Sequence, residues 1–346
     1  ARAAPLNLTG NKYDPRCLYD PVHDRFIIVC LNGTASTNTN IIVGFSQTND
    51  PTGNWNLYAL PGDPYGDTLW TDYPIVAISE HEFFVTGNFI SDTAPWQSVF
   101  AGSVAWLVRL DESYAGDSLQ TQVWGPIFYN GGLVRNLCPV MGGSAPTSAP
   151  GLYFISNRNF DLSNDSIFIM EITDTLNGNP TFLVDMQTTP TPYGLAPNAI
   201  QRFNTQLATN DARWLDAMID NDQIQFVGIT VVPATNRAGV YHGLFTDMSG
   251  ARTITGNILT HPGGLDFGYP AIAPCDLAGG NDAMIAINYS SLDTLPSCGA
   301  IFYEEGVGYS DLQPDRSGVP YIYVLSDSGE RWGEYNGIQP SYRQTG

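Results

Sequence analysis

The feature that most constrains this chain is a theme that recurs along its whole length. A polar or acidic residue opens a short apolar strand, a turn follows, and a second apolar strand returns. The first copy runs Tyr13-Asp14-Pro15-Arg16-Cys17-Leu18-Tyr19-Asp20, turns at Pro21 to Asp24, and continues as Phe26-Ile27-Ile28-Val29. Later copies lead from Asp72-Tyr73-Pro74 into Phe83-Phe84-Val85, and from Asn136-Leu137-Cys138-Pro139 into Leu152-Tyr153-Phe154. Two more lead from Asp211-Ala212-Arg213-Trp214 into Ile224-Gln225-Phe226, and from Phe267-Gly268-Tyr269-Pro270 into Met284-Ile285-Ala286. Trp332-Gly333-Glu334-Tyr335 begins a sixth copy that stops after its first strand.

Copies start near residues 14, 72, 136, 211, 267 and 333, which leaves room for two further strands in each unit. Ile41-Ile42-Val43, Val104-Ala105-Trp106, Ile167-Phe168-Ile169, Val240-Tyr241 and Ala300-Ile301-Phe302 fill the third-strand slot. The 35 glycines and 24 prolines punctuate the chain with turns, and few segments carry a helical period. The total of about twenty short strands exceeds the roughly seven to nine of a single sandwich. Radial repetition manages the edges of that many short strands, and a parallel β-helix has much shorter repeats. The expected fold is therefore all-β: a β-propeller of four-stranded antiparallel blades, with five readable blades plus an incomplete sixth. Residues 1–346 are expected to form this single domain. Either the five blades suffice, or strands from outside the chain complete the sixth.

Composition narrows the partners. Acids outnumber bases 34 to 14, the formal charge is −20, and Lys12 is the only lysine. Such a surface repels nucleic-acid phosphates and anionic membranes. No run reaches the roughly 18 apolar residues of a spanning helix, so membrane insertion is not expected. Ala1-Arg2-Ala3-Ala4-Pro5 reads as a mature end left after signal removal, and the expected location is secreted or at the cell surface. The five cysteines contain no CxxC pair, which excludes zinc-ribbon and thioredoxin-like sites. Cys17 and Cys30 flank one hairpin and Cys275 and Cys298 another, so a disulfide in each is one expectation, with Cys138 left single. Free thiols are the other.

In four places the chain resembles the sialidase-like β-propeller regions of exported extracellular proteins. These are Asp14-Pro15-Arg16 through Tyr19-Asp20, Ser46 through Asp50-Pro51-Thr52-Gly53-Asn54-Trp55, Asp72-Tyr73-Pro74, and Trp332 through Ile338. Ser46 to Trp55 looks like a relaxed Asp-box turn, with extra spacing between Ser46 and Asp50. The resemblance implies a hairpin closed by Asp and Gly with the Trp packed between sheets, a folding device with no catalytic role. Arg16, Arg135 and Arg213 sit near repeat starts but match no family motif, so no catalytic role is carried over.

In a propeller, equivalent inner-strand starts converge on one channel mouth. Here they are Asp14, Asp72, Asn136, Asp211, Asp266 and Glu334. Such a ring can hold a metal ion or a cationic ligand group, or supply paired carboxylates for glycoside cleavage. The competing expectation is that each acid caps its own strand or turn. No cofactor is required. The acidic turns Asp220-Asn221-Asp222 and Asp276 to Asp282 read as hairpin turns, with calcium as the alternative, since that ion needs six or more converging oxygens. Trp55, Trp70, Trp96, Trp106, Trp124, Trp214 and Trp332 are candidate sugar platforms, with core positions as the alternative. His23, His81, His242 and His261 show no metal or triad spacing, and Asn7, Asn32, Asn164 and Asn288 are glycosylation sequons.

No GxSxG, HExxH, phosphate-loop or EF-hand motif is present. The sequence therefore favours a non-enzymatic extracellular protein for binding, adhesion or assembly, a surface or filament subunit. Its partners would be a glycan, an extracellular protein, or a second copy joined through the open blade edge. The alternative is a carbohydrate-active enzyme, a hydrolase or lyase, with acids at the channel mouth.

Overall fold

The computed structural model describes residues 6–93, 99–148, 151–275, 280–324 and 329–341. The fold is an all-β propeller of five antiparallel, mostly four-stranded blades. Blade one comprises Lys12–Asp20, Arg25–Asn32, Asn40–Ser46 and Trp55–Pro61, and blade two Leu69–Ile78, Glu82–Ser91, Phe100–Arg109 and Thr121–Trp124. Arg135–Pro139, Leu152–Asn157, Asn164–Ile172 and Phe182–Tyr193 make blade three. Blade four is Trp214–Asp220, Gln223–Val232, Arg237–Thr246 and Thr253–Leu259, extended by the short Met141–Gly142. Asp266–Pro274, Ala283–Ser290 and Ser297–Glu304 make blade five, with Gly308–Tyr309 and Gln313–Arg316 both paired to its third strand. The chain divides into two compact units, residues 1–141, 146–155 and 169–185 in one, and 142–145, 156–168 and 186–346 in the other.

In the first unit the strand pattern follows burial. Along Arg25–Asn32, Ile27, Val29 and Leu31 are buried while Ile28 is exposed, the period of two expected of a strand with one core face. Glu82–Ser91 is buried on both faces along nearly its whole length, as a central strand between packed sheets must be. Phe45 and Phe83 meet edge-to-face at 5.8 Å in the core, together with Val43, Val85 and Phe89. Each fully buried side chain of this size contributes about 1.5–3 kcal/mol.

The inner strands share a second device. The ladder slips between Tyr13 and Arg16, between Asp72 and Ile75, between Trp214 and Asp216, and between Gly268 and Ala271. Asp14, Tyr73 and Tyr269 are left-handed at three of these slips, at φ of 52°, 55° and 49°, and Asn136 on the inner strand of blade three is left-handed at 51°. Pro15, Pro74 and Pro270 follow three of them. A proline has no N–H for the ladder, and a bulge lets it sit unpaired without ending the strand. The Ser46 to Trp55 turn closes blade one. Asp50 accepts the Thr52 N–H at 2.9 Å and its hydroxyl at 2.6 Å, and the Gly53 N–H reaches the Asp50 carbonyl at 3.1 Å. Trp55 differs from expectation: its indole N–H donates to the Pro51 carbonyl at 3.1 Å, so the ring lies back on its own turn.

The second unit corrects the sixth blade. Among the described residues, 332–341 form no strand. The Trp332 indole donates to the Ala208 carbonyl at 2.9 Å, Asn288 donates to the Trp332 carbonyl at 3.1 Å, and the ring meets Tyr269 edge-on at 6.4 Å. Glu330 bridges Leu207. The segment is a plug on blade five.

The two expected disulfides are absent, and all five cysteines are free thiols. Cys17 lies opposite Ile28, so Cys30 is its diagonal neighbour, about 7–8 Å away and beyond disulfide reach. Cys298 pairs with Asn288 while Cys275 follows the Pro274–Ala283 pair, about 16 Å further along the strand.

Asp20 clamps two blades within the first unit. Its buried carboxylate accepts the Val22 and His23 N–H groups at 2.9 and 3.2 Å, a His23 Nδ1 contact at 2.8 Å and the Tyr114 hydroxyl at 2.7 Å. Tyr114 stands on Leu110–Ala115, the short helix after the third strand of blade two. Burial pushes the Asp20 carboxyl up, but the hydrogen bonds from His23 and Tyr114 outweigh it and hold the group below the usual carboxylate range. The bond to Asp20 raises His23 against burial. The His23 contribution to stability is therefore complete below about pH 6.5 and lost as pH rises through the raised folded value. The Asp20 contribution is present above about pH 3.9 and lost as pH falls through the lowered one. Urea titrations across this range should show stability declining above neutrality, and His23→Gln should flatten that decline. Tyr114→Phe should cost about 1–3 kcal/mol at pH 7 by leaving a buried acceptor short of a donor.

Candidate functional site

The bulges of blades one and two bring chemistry together around Tyr13. Its hydroxyl lies 3.0 Å from the Gly33 carbonyl and 3.5 Å from the Thr71 carbonyl, at the start of the neighbouring inner strand. Burial first, then the charges of Asp72 and Asp14, push this hydroxyl well above the usual tyrosine range. Asp14 adjoins Tyr13 along the chain and Asp72 follows Thr71, whose carbonyl the hydroxyl approaches, so the charges of two inner strands act on one phenol. Asp14 is half-buried, and among the described residues its carboxylate accepts no hydrogen bond and joins no ion pair. It is held there by a left-handed backbone, which a short polar residue such as Asp tolerates better than most. Arg16 spans the two blades, donating from Nε to the Pro74 carbonyl at 3.0 Å, with its guanidinium 5.9 Å from the Tyr73 ring centroid. Two acids, a hydroxyl and a cation can bind a hydroxylated ligand and move a proton at it.

The other four residues of the expected ring are fastened as follows. Asn136 is buried, and its Oδ1 accepts from Asn88 at 2.6 Å while Ser103 donates to the same Asn88 at 3.2 Å. Asp211 is buried and takes Arg213 Nε at 2.7 Å and Nη2 at 2.6 Å. Asp266 accepts the N–H groups of Ile200 at 3.0 Å and Ala238 at 3.1 Å, with Arg237 at 3.4 Å. Glu334 pairs with Arg331. Asp14 and Asp72 are the two whose charges both act on Tyr13, one beside it in the chain and the other beside its Thr71 contact. Tyr13 is a site residue that the sequence does not single out, and Arg16 gains a role that its place near a repeat start does not assign. No repeat signal marks them, since the same places at the other two Xaa-Pro steps hold Asp72 and Ile75, and Gly268 and Ala271.

The acidic turns are spent on the backbone. Asp220 accepts the Ser144 N–H at 2.7 Å and hydroxyl at 2.6 Å, and Asp222 holds Ser249 through 2.9 and 2.8 Å bonds. Asp276 lies outside the described residues, and Asp282 accepts the Glu305 N–H at 2.9 Å. Among the described residues no group of three His, Cys, Asp or Glu has a metal-binding arrangement, and no helix is long and apolar enough to cross a membrane. Trp70, Trp106 and Trp214 are buried core residues, Trp55, Trp124 and Trp332 are half-buried, and Trp96 lies outside the described residues. Asn7 is exposed, Asn164 and Asn288 are half-buried, and Asn32 is buried, which leaves no room there for a glycan. His242 is buried, its ring bonded to Tyr309 at 2.8 Å and Gln225 at 3.0 Å, and burial lowers its pKa to about 3.

No family model matches this chain, and no curated protein matches it. Among solved structures it is similar to an endo-arabinase from Bacteroides thetaiotaomicron, at 11% identity over 95% of this chain and 99% of that one, with a TM-score of 0.41. It is also similar to an α-L-arabinanase from Cellvibrio cellulosa complexed with arabinohexaose, at 9% identity over 89% and 96% of the two chains, TM-score 0.42. A third is a GH43 endo-arabinanase from Bacillus licheniformis, at 12% identity over 89% and 99%, TM-score 0.37. The expectation of a non-enzymatic surface or filament subunit is corrected here. The solved structures similar to this chain are named as enzymes, and the open sixth blade that gave assembly its physical rationale is a packed plug.

The structural acids are separable from the candidate pair by experiment. Asp211→Asn leaves Arg213 without its buried partner and should lower stability by about 3 kcal/mol in urea unfolding.

Proposed function

We propose that this chain is a carbohydrate-active enzyme, a glycoside hydrolase whose acid pair is Asp14 and Asp72. The observation that supports it is the joining of the two inner strands at Tyr13 and Arg16, which reach the Thr71 and Pro74 carbonyls on either side of Asp72, with Asp14 committed to no hydrogen bond among the described residues. Asp14 takes the part of the base, since its lone pairs are available to a water or a sugar hydroxyl. Asp72 protonates the departing glycosidic oxygen. Tyr13, neutral under working conditions, donates to or accepts from the ligand, and Arg16 positions the Tyr73-Pro74 step. The arabinanases similar in fold make arabinan-type and other neutral polysaccharides the first substrates to try. The sialidase-like relation inferred from Ser46 to Trp55 belongs to the same proposal, supported by the way Asp50 closes that turn. So does an extracellular setting, supported by the charge of −20 and the single lysine.

The test is a reducing-end assay over a panel of neutral and acidic polysaccharides. Asp14→Asn and Asp72→Asn should each lower turnover by about 10²- to 10⁴-fold, the usual contribution of a positioned acid or base. Both should keep the wild-type circular dichroism spectrum. Wild-type protein inert on every polysaccharide, or turnover indifferent to both substitutions, would overturn the proposal.

A further inference from the structure

A second feature of the first unit lies away from the Tyr13 cluster. The last strand of blade two ends at Trp124, and Gly125-Pro126 then turns the chain into the short hairpin that carries Phe128. Together with Tyr65 and Phe182 these residues line an open cleft of about 340 Å³. Tyr65 comes from the loop after blade one, and Phe182 opens the last strand of blade three.

The cleft is built from rings held in place from behind. Tyr65 packs edge-on against the fully buried Phe89 at 6.3 Å. Phe182 lies 5.5 Å from the buried Phe154 and 5.8 Å from Trp124. Gly102 leaves the space that Pro126 occupies; a Cβ at that position would collide with the proline ring. The rings nevertheless keep open faces, with Phe128 50% and Tyr65 43% exposed. Rings fixed in this way lose little freedom on binding, which favours a ligand that lies flat across them.

Charge selects among such ligands. Among the described residues no charged side chain lines the cleft, although the chain as a whole carries −20. A polyanion meets repulsion without a cation to hold it, and a cation finds no carboxylate in the walls. An uncharged ligand with apolar faces and hydroxyl edges fits the open rings, the Tyr65 hydroxyl and the backbone carbonyls beside them. We propose that this cleft is a second carbohydrate site, which holds a segment of a neutral glycan chain apart from the Asp14–Asp72 pair. The choice of a sugar as ligand rests on the carbohydrate reading above, whereas the cleft itself rests on its own geometry.

The experiment is calorimetric titration with neutral linear hexasaccharides of arabinose, xylose, mannose and glucose, in the Asp14→Asn, Asp72→Asn double variant so that no probe is consumed. At least one hexasaccharide should bind. Trp124→Ala and Phe128→Ala, added singly, should each weaken binding by about tenfold or more. Added to the wild-type acids instead, they should leave the rate on a short aryl glycoside unchanged. If Trp124→Ala fails to fold, Tyr65→Ala replaces it, because that ring is the more exposed. Failure of every hexasaccharide to bind, or binding indifferent to the folded aromatic variants, would overturn the site. Turnover indifferent to Asp14→Asn and Asp72→Asn, alongside binding that these ring variants weaken, would remove the proposed acid pair and leave the cleft standing.

Discussion

The inner strands must accommodate prolines that cannot donate to the ladder, and much of the structure follows from that constraint. Pro15, Pro74 and Pro270 each follow a residue forced into the left-handed region. For Tyr73 and Tyr269 this costs about 1–2 kcal/mol each. Packing offsets the cost: Pro74 is buried, and Tyr269 is buried against the Trp332 plug. The bulge also shifts the ladder just where blades one and two adjoin. There Tyr13 approaches the Thr71 carbonyl next to Asp72, and Arg16 reaches the Pro74 carbonyl.

Most buried acids in this protein serve as fasteners. Asp20, Asp211, Asp220 and Asp266 are buried, and each is matched with backbone N–H groups, hydroxyls, a histidine or an arginine. A carboxylate left unmatched inside a protein is costly, so the burial itself requires these partners. Against that pattern Asp14 stands out, half-buried and without a hydrogen bond among the described residues. A net charge of −20 therefore overstates the acid available for chemistry.

The correction of the sixth blade shows where a repeat pattern stops being informative. Trp332-Gly333-Glu334-Tyr335 resembles the start of an inner strand in residue types and spacing. The same residues serve equally well as a plug, because a tryptophan with a free indole N–H can pack against Tyr269 and donate to Ala208. The cysteines repeat the lesson. Cys17 and Cys30 flank a hairpin in sequence, yet the register makes them diagonal neighbours rather than a bonded pair.

The sequence by itself determined the all-β class, the five blades and the turns between their strands, since these depend on local alternation and on turn residues such as Pro21 to Asp24. It also carried the Xaa-Pro steps, whose backbone consequence is local. Only the tertiary structure decided which acids are spent and which remain available. Asp211 and Asp14 look alike at the starts of their repeats, and what separates them is whether an Arg213 guanidinium closes on the carboxylate. Arg16 and Arg213 each stand two residues after their acid, yet Arg213 closes on Asp211 while Arg16 donates to the Pro74 carbonyl of the next blade, a choice that the spacing does not encode. The theme of strand, turn and strand thus fixed the scaffold, while the contacts across its bulges chose the candidate site.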